Sequence, residues 1–268
     1  MTIKNNLKIS IVTIVRNGMP FIKEAVESVL SQDYESIEYI VVDAVSTDGT
    51  VGFLLENKTR LSKLIIEKDD GIADAFNKGL NQVSGDYIMF LNADDSLASP
   101  CVISEMVKSI ISFNKPMIIY GDCELLDRNT SKAIARTVIN FNVRELINGL
   151  MIPHPSTLTS KKYFAKYGIF DTSFNIAMDY EWFLRGANKE KIIHIKKLIT
   201  LVRGGGVSTK SQVKVISEIV RALKKNSYIK TSLMALIIHM KFISRFVVRI
   251  LLQFFGLYGL YKTYKKLS

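Results

Sequence analysis

Cysteine is almost absent from these 268 residues: only Cys101 and Cys123 occur, with no Cys-x-x-Cys spacing. That excludes a disulfide framework and a thiolate metal site, and it fits a reducing, cytosolic compartment. Acidic residues run out at Glu218; beyond it ten Lys and Arg stand unopposed, while residues 1–218 hold the other 26 bases and all 25 acids. The net charge of +11 therefore sits at one end, where the bases alternate with apolar stretches instead of forming the polar basic face that a nucleic acid requires. A run of the roughly 20 apolar residues that span a bilayer is also missing. Between Ser232 and Tyr261 the longest charge-free stretches reach only about a dozen residues. There is no internal repeat, no low-complexity segment, and no Gly-x-Gly-x-x-Gly after the first apolar run to bind a dinucleotide. Lys4, Asn5, Asn6 and Lys8 precede any apolar run, the wrong order and length for a secretory signal, so export by that route is not expected.

What is present is an ordinary folded composition, 48% hydrophobic and 23% charged. Up to about residue 125, short β-branched runs alternate with helical patterns, the mark of βαβ units around a parallel sheet. Strands are expected over 9–15, 37–43, 64–67 and 87–91, with helices from Pro20 to Gln32, near 50–60 and over 71–82. Thr13, Arg16 and Asn17 follow the first strand, Asp43 the second, Asp69 and Asp70 the third, and Asp94 and Asp95 the fourth. Right-handed crossovers gather all of these on one sheet edge, where open α/β sheets bind their ligands. Further on, strands are expected over 117–120 and 132–138, helices over 141–149, 161–167 and 180–189, and two short strands at 192–195 and 198–202. The glycines at 204–206 mark a mobile loop.

The most informative segment is Gly85-Asp86-Tyr87-Ile88-Met89-Phe90-Leu91-Asn92-Ala93-Asp94-Asp95, an apolar strand that ends in two adjacent carboxylates. Side by side, these repel unless a hard divalent cation, Mg²⁺ or Mn²⁺, accepts their oxygens, and such cations bind diphosphates. The competing reading is that Asp94, Asp95 and Ser96 only cap the following helix.

In order and spacing, several further segments join this one: Ser10-Ile11-Val12-Thr13-Ile14-Val15-Arg16-Asn17, Ser28-Val29-Leu30-Ser31-Gln32, Val41-Val42-Asp43 with Ser46-Thr47-Asp48-Gly49-Thr50, Asp70-Gly71 with Asp74-Ala75-Phe76-Asn77-Lys78-Gly79, and Asp179-Tyr180-Glu181 with Arg185. Together they resemble the family 2 glycosyltransferases over about residues 8–210. The resemblance implies a GT-A fold, a Rossmann-like mixed α/β sheet with helices on both faces, and inverting transfer of a sugar from a nucleotide donor to an acceptor hydroxyl. It makes Asn92–Asp95 the variant of the family's Asp-x-Asp motif. Because Asn92 is an amide, it suits the ribose, and the metal ligands become Asp95 first and Asp94 second. Asp179, at a helix start whose dipole would keep it ionised, takes the place of the base. Asp43 borders the uracil pocket implied by the family. Thr13, Val15, Arg16 and Asn17 line the donor, and Asp70, Asn77 and Lys78 lie near the diphosphate at a helix start. Arg203, with Ser208 a weaker candidate, would fold over the diphosphate. His154, Glu181 and Trp182 are assigned to the acceptor, although His154 and Trp182 read equally as core. No Gln-x-x-Arg-Trp motif is present, so one sugar is added and no polymer is made.

Residues 1–215 are expected to form the catalytic domain and 216–268 a basic amphipathic helical tail. Lys241, Arg245, Arg249 and Gln253 recur every fourth residue, the pattern of an interfacial helix on anionic lipid. Packing on the catalytic domain or on a second subunit of a homo-oligomer is the alternative. These readings place the protein on the cytosolic face of the membrane, working with a UDP-sugar, Mn²⁺ or Mg²⁺, and a lipid-linked bacterial surface glycan. The rival is a catalytically silent module that recruits glycan-assembly partners; nucleotidyl transfer would use the same metal logic, but no lysine-rich activation loop accompanies it.

Overall fold

The structure is a computed structural model that describes residues 7–206 and 211–231, with 237, 238, 240 and 244. Ser208 and the stripe of Lys241, Arg245, Arg249 and Gln253 lie outside the described residues. Four parallel strands, β1 (Ile9–Val15), β2 (Ile37–Asp43), β3 (Lys63–Ile66) and β4 (Tyr87–Asn92), form one half of a nine-stranded sheet. The order is β3-β2-β1-β4 and continues through β8 (Thr157–Ser160), β6 (Ile118–Leu126), β9 (Ile192–Arg203) and β5 (Ser96–Leu97), with β7 (Ala133–Thr137) paired to β6. β8 is antiparallel to both β4 and β6, which makes the sheet mixed.

Alternation along the parallel strands sorts the core into two layers. Ile9, Ile11, Tyr39, Val41, Tyr87, Met89 and Leu91 face one side, where α1 (Ile22–Leu30), α2 (Thr50–Glu56) and α4 (Val102–Ser112) cover them. Val12, Ile40, Val42, Ile88 and Phe90 face the other, beneath α3 (Ile72–Leu80), α6 (Lys161–Tyr167), α7 (Met178–Leu184) and α8 (Gln212–Lys225). One turn of helix, α5 (Val143–Leu146), joins this second layer through Leu146. The α/β sheet with helices on both faces is thus the architecture that forms.

Two differences from expectation have clear causes. The strands expected at 192–195 and 198–202 are one strand, because parallel pairing with β6 carries the ladder through the polar Lys196 and Lys197 by way of register shifts beside Asp122. The helix α8 also runs through the boundary expected at 215. It buries Ile216, Ile219, Val220, Ala222 and Leu223, and its Glu218 carboxylate accepts from the backbone N–H groups of Asn175, Ile176 and Ala177, at 2.9, 2.9 and 2.8 Å, just ahead of α7.

Candidate active site

Strand register places the acidic groups. Asp43 pairs with Val15, and Asn92 with Ile14, so β1 lies between them. The ends of β2 and β4 are then two strand spacings apart, roughly 10 Å. After β4 the chain turns, with Asp95 N–H donating to the Asn92 carbonyl at 3.1 Å, and enters β5, which pairs with the end of β9. The acidic turn is therefore held between two strands. Asp95 is 2% exposed; one oxygen accepts from Asn92 Nδ2 at 2.8 Å and the other from the Arg203 backbone N–H at 3.1 Å. Burial, reinforced by the charge of Asp94, pushes the Asp95 carboxyl up to about 7 against these hydrogen bonds.

Asp94 is the more open of the two, and its Oδ2 meets the Arg128 guanidinium at 2.8 Å. Among the described residues no group of three or more His, Cys, Asp or Glu is placed to hold a metal ion. Among the described residues, Asp94 and Asp95 are those that would hold a divalent ion there. The pair fits such an ion, because a cation would offset the cost of burying the Asp95 charge and its repulsion by Asp94. Arg203, expected to fold over the diphosphate, is instead locked: its side chain is 5% exposed, and its guanidinium is ion-paired with Glu24 and bonded to Ser131 Oγ at 2.8 Å. Arg128 and Arg203 each lie 4.8 Å from the centre of the Phe21 ring. Phe21, Glu24, Arg128 and Ser131 escaped the sequence reading, since no local spacing links a helix start to a distant hairpin.

At the β2 end, Asp43 is fully buried. Its Oδ1 accepts from Ser46 N–H at 2.8 Å, while Oδ2 is buried with no partner. Thr13 is also buried and accepts from the Tyr39 hydroxyl at 3.1 Å, so it faces the core rather than a donor. The Val15 carbonyl accepts from Ala44 N–H. Arg16 is exposed, and Asn17, in a left-handed conformation with φ 53°, receives Thr47 N–H on its side chain and gives its own N–H to Ser46 Oγ. Asp70 is exposed beside the start of α3. Asn77 points inward and clamps Phe170, donating to its carbonyl at 2.9 Å and accepting from its N–H at 3.0 Å, while Lys78 bridges Glu67 and Asp74, each at 3.2 Å. Asn77 and Lys78 therefore brace the fold rather than face a diphosphate.

Asp179 lies in the first turn of α7, accepting from Tyr180 N–H at 2.7 Å. Burial raises its pKa, partly opposed by the charge of His154. The helix start does not hold it in the ordinary carboxylate range, as its dipole alone suggested. His154 stacks on Phe90 at 5.4 Å with Phe76 and Phe170 edge-on; its Nε2 is buried without a partner, and burial lowers its pKa against the pull of Asp179. The acceptor roles of Glu181 and Trp182 give way to structural ones. Glu181 is fully buried and pairs with Arg185 at 2.5 Å and Lys225 at 3.0 Å; burial alone would raise its carboxyl, but these partners hold it low. Trp182 stacks on Phe164 at 4.5 Å, donates its indole N–H to the Gly168 carbonyl and is 2% exposed, so it offers no open surface to a sugar.

Comparison with known proteins agrees with this geometry. The family model described as glycosyl transferase family 2 matches residues 10–164. An uncharacterised glycosyltransferase of Mycobacterium tuberculosis is 31% identical over 181 residues, 67% of this chain and 68% of that one. The putative teichuronic acid biosynthesis glycosyltransferase TuaG of Bacillus subtilis is 37% identical over 90 residues, 32% of this chain and 36% of TuaG. This chain belongs to the family 2 glycosyltransferases. Among solved structures, S. aureus TarS 1-349 with UDP-GlcNAc superposes with a TM-score of 0.63 at 16% identity, covering 89% of this chain and 72% of that one. Mannosyltransferase PcManGT from Pyrobaculum calidifontis, in complex with GDP-Man and Mn²⁺, does so with 0.63 at 17% identity, over 97% and 82%. These two likenesses establish the fold. This chain spans 40% of the longer TarS chain.

Proposed function

We propose that this glycosyltransferase moves a single sugar, with inversion, from a nucleoside diphosphate sugar to a hydroxyl of a lipid-linked bacterial surface glycan. The observation that carries the reading is Asp43 Oδ2, a buried carboxylate oxygen without a partner, two strands from the Asp94–Asp95 turn on the same sheet edge. A uracil N–H donated to Asp43 would satisfy that oxygen, and the span to the acidic turn suits a nucleoside diphosphate. A bound UDP in TarS and the Mn²⁺ of PcManGT support the same donor class. Asp94 and Asp95 would hold Mn²⁺ or Mg²⁺, which supplies Lewis-acid support for the leaving diphosphate.

In this reading Asp179 takes the acceptor proton. Its raised pKa moves it toward the range in which a carboxylate works as a base near neutrality. His154 keeps a buried Nε2 without a partner among the described residues, but the rings of Phe76, Phe90 and Phe170 enclose it, so it is not assigned to the acceptor. The description of TuaG as a putative teichuronic acid biosynthesis glycosyltransferase and the charge of the tail support an acceptor carried on the cytosolic membrane leaflet. A donor panel with Mn²⁺ and membrane extract, read as free nucleoside diphosphate, tests this. Transfer from a UDP-sugar is expected, and Asp179→Asn should lower kcat by roughly 10²–10⁴-fold. No release from any donor would favour the silent module, and unchanged turnover in Asp179→Asn would remove the base.

A further inference from the structure

Two arginines flank Phe21, and they differ in freedom. Arg203 is buried, with its guanidinium committed to Glu24 and Ser131. Arg128 has a side chain 40% exposed, and among the described residues its guanidinium has one charged partner in Asp94, a long 3.4 Å contact to the Gly204 carbonyl and the Phe21 ring at 4.8 Å. It projects from the turn between β6 and β7, which is braced without it. Asp127 Oδ1 accepts from the N–H groups of Asn129 and Thr130 at 3.1 and 2.8 Å, and Ser131 ties the turn to Arg203. The guanidinium therefore moves at little cost to the hairpin.

What it covers is the open carboxylate of the acidic turn. Asp95 already has both oxygens engaged, so Asp94 is the ligand most accessible to an incoming ion, and Arg128 supplies positive charge at that point. A guanidinium and a divalent ion on one carboxylate repel each other. When the ion arrives with a diphosphate, new oxygens appear within reach of the same arginine, and guanidinium forks suit phosphate oxygens.

We propose that Arg128 is a stand-in for the cation: it holds Asp94 in the donor-free enzyme and passes to the donor's diphosphate when the divalent ion takes its place. The inference rests on the donor reading above and adds to it a residue that recognises the diphosphate and an order of events. Bare ions are disfavoured, and an ion together with a nucleotide is favoured. The two effects have opposite signs on one side chain, which a purely structural arginine does not produce.

Mn²⁺ binding to the full chain, read by electron paramagnetic resonance without nucleotide, and UDP and GDP binding at saturating Mn²⁺, read by calorimetry, test this with no dependence on turnover. In Arg128→Ala, bare Mn²⁺ should bind roughly two- to five-fold tighter, the scale of one partly exposed ion pair lost by competition. The nucleoside diphosphate preferred by the wild type should bind at least about tenfold weaker, the scale of a charged hydrogen bond. Arg128→Gln, which keeps the side-chain length without the charge, should follow the same two directions. If both variants bind Mn²⁺ no tighter, or bind the nucleotide as the wild type does, Arg128 is not a stand-in, and the donor reading survives. If the wild type itself binds neither UDP nor GDP, the donor reading fails and takes this inference with it.

Discussion

Burial and the Asp94 charge push the Asp95 carboxyl from its ordinary 3.8 up to about 7, so the cation-free protein keeps a proton there that the unfolded chain has already released. The sign follows from linkage. The stabilisation is complete below about pH 3.8 and is lost as pH rises through about 7, where the folded state must hold a buried charge. Asp95→Asn stays neutral throughout. With a chelator present, its melting temperature should match the wild type near pH 4 and exceed it at pH 8. A variant less stable than the wild type at pH 8 would show that the hydrogen bonds to Asn92 and Arg203 outweigh the charge. At this scale the sequence was informative about position. Asp43, Asp94 and Asp95 are polar residues that end apolar strands, and parallel topology alone brings such ends together. It was uninformative where a side chain's surroundings come from afar. Glu181 meets Lys225 and Trp182 meets Phe164, partners 44 and 18 positions away in the chain, so a motif adjacent to Asp179 said nothing of their burial.

Elements obeyed the same division. β1 and β2 form over the residues their β-branched runs indicate, since such runs, covered on both faces, have no alternative partner but a neighbouring strand. The helix expected over 141–149 shrinks to the single turn of α5; Asn142 caps its start, and Gly149 adopts φ 76° soon after it. β5 has two residues and no periodicity to read. How α3 lies on the sheet is set by Gly79, where an added Cβ would sit 2.3 Å from Cγ1 of the fully buried Val12 in β1. In most helices Gly→Ala stabilises by about 0.5–1 kcal/mol. Gly79→Ala is expected to do the reverse, with overpacking of about 1–3 kcal/mol exceeding the propensity gain. Gly52→Ala in α2, where a Cβ meets nothing within 4 Å, should show the ordinary gain. Urea unfolding of the two variants decides it: if both are stabilised, α3 is free to lift from β1 and the close approach is not what holds it.

For the whole molecule, the decisive question is where the catalytic unit ends. Charge pointed to residue 215, because acids run out at Glu218 and a basic tail follows. Packing points further on. Ile216, Ile219, Val220 and Leu223 recur at the spacing of one helix face and are buried, the last three in the same layer as Phe76, Phe90 and Trp182. The pattern was legible in the sequence, yet the net charge of the tail overshadowed it. Two polar ties strengthen the attachment: Glu218 caps the backbone ahead of Asp179, and Lys225 reaches both Asp171 and Glu181. Removing residues 216–268 would therefore uncover apolar side chains worth about 1.5–3 kcal/mol each for the larger ones, a loss comparable to the whole stability of a domain. It would also leave a buried Glu181 with one cation fewer and free the segment that positions Asp179. Such a truncation should be recovered only as aggregate. Ending the chain after residue 231 keeps α8 and its ties, and should leave a folded protein that still binds nucleotide. Expression of both forms, followed by gel filtration and UDP binding with Mn²⁺, gives the answer. A soluble, nucleotide-binding 1–215 fragment would place the boundary where the charge pattern put it and make α8 an accessory to the fold.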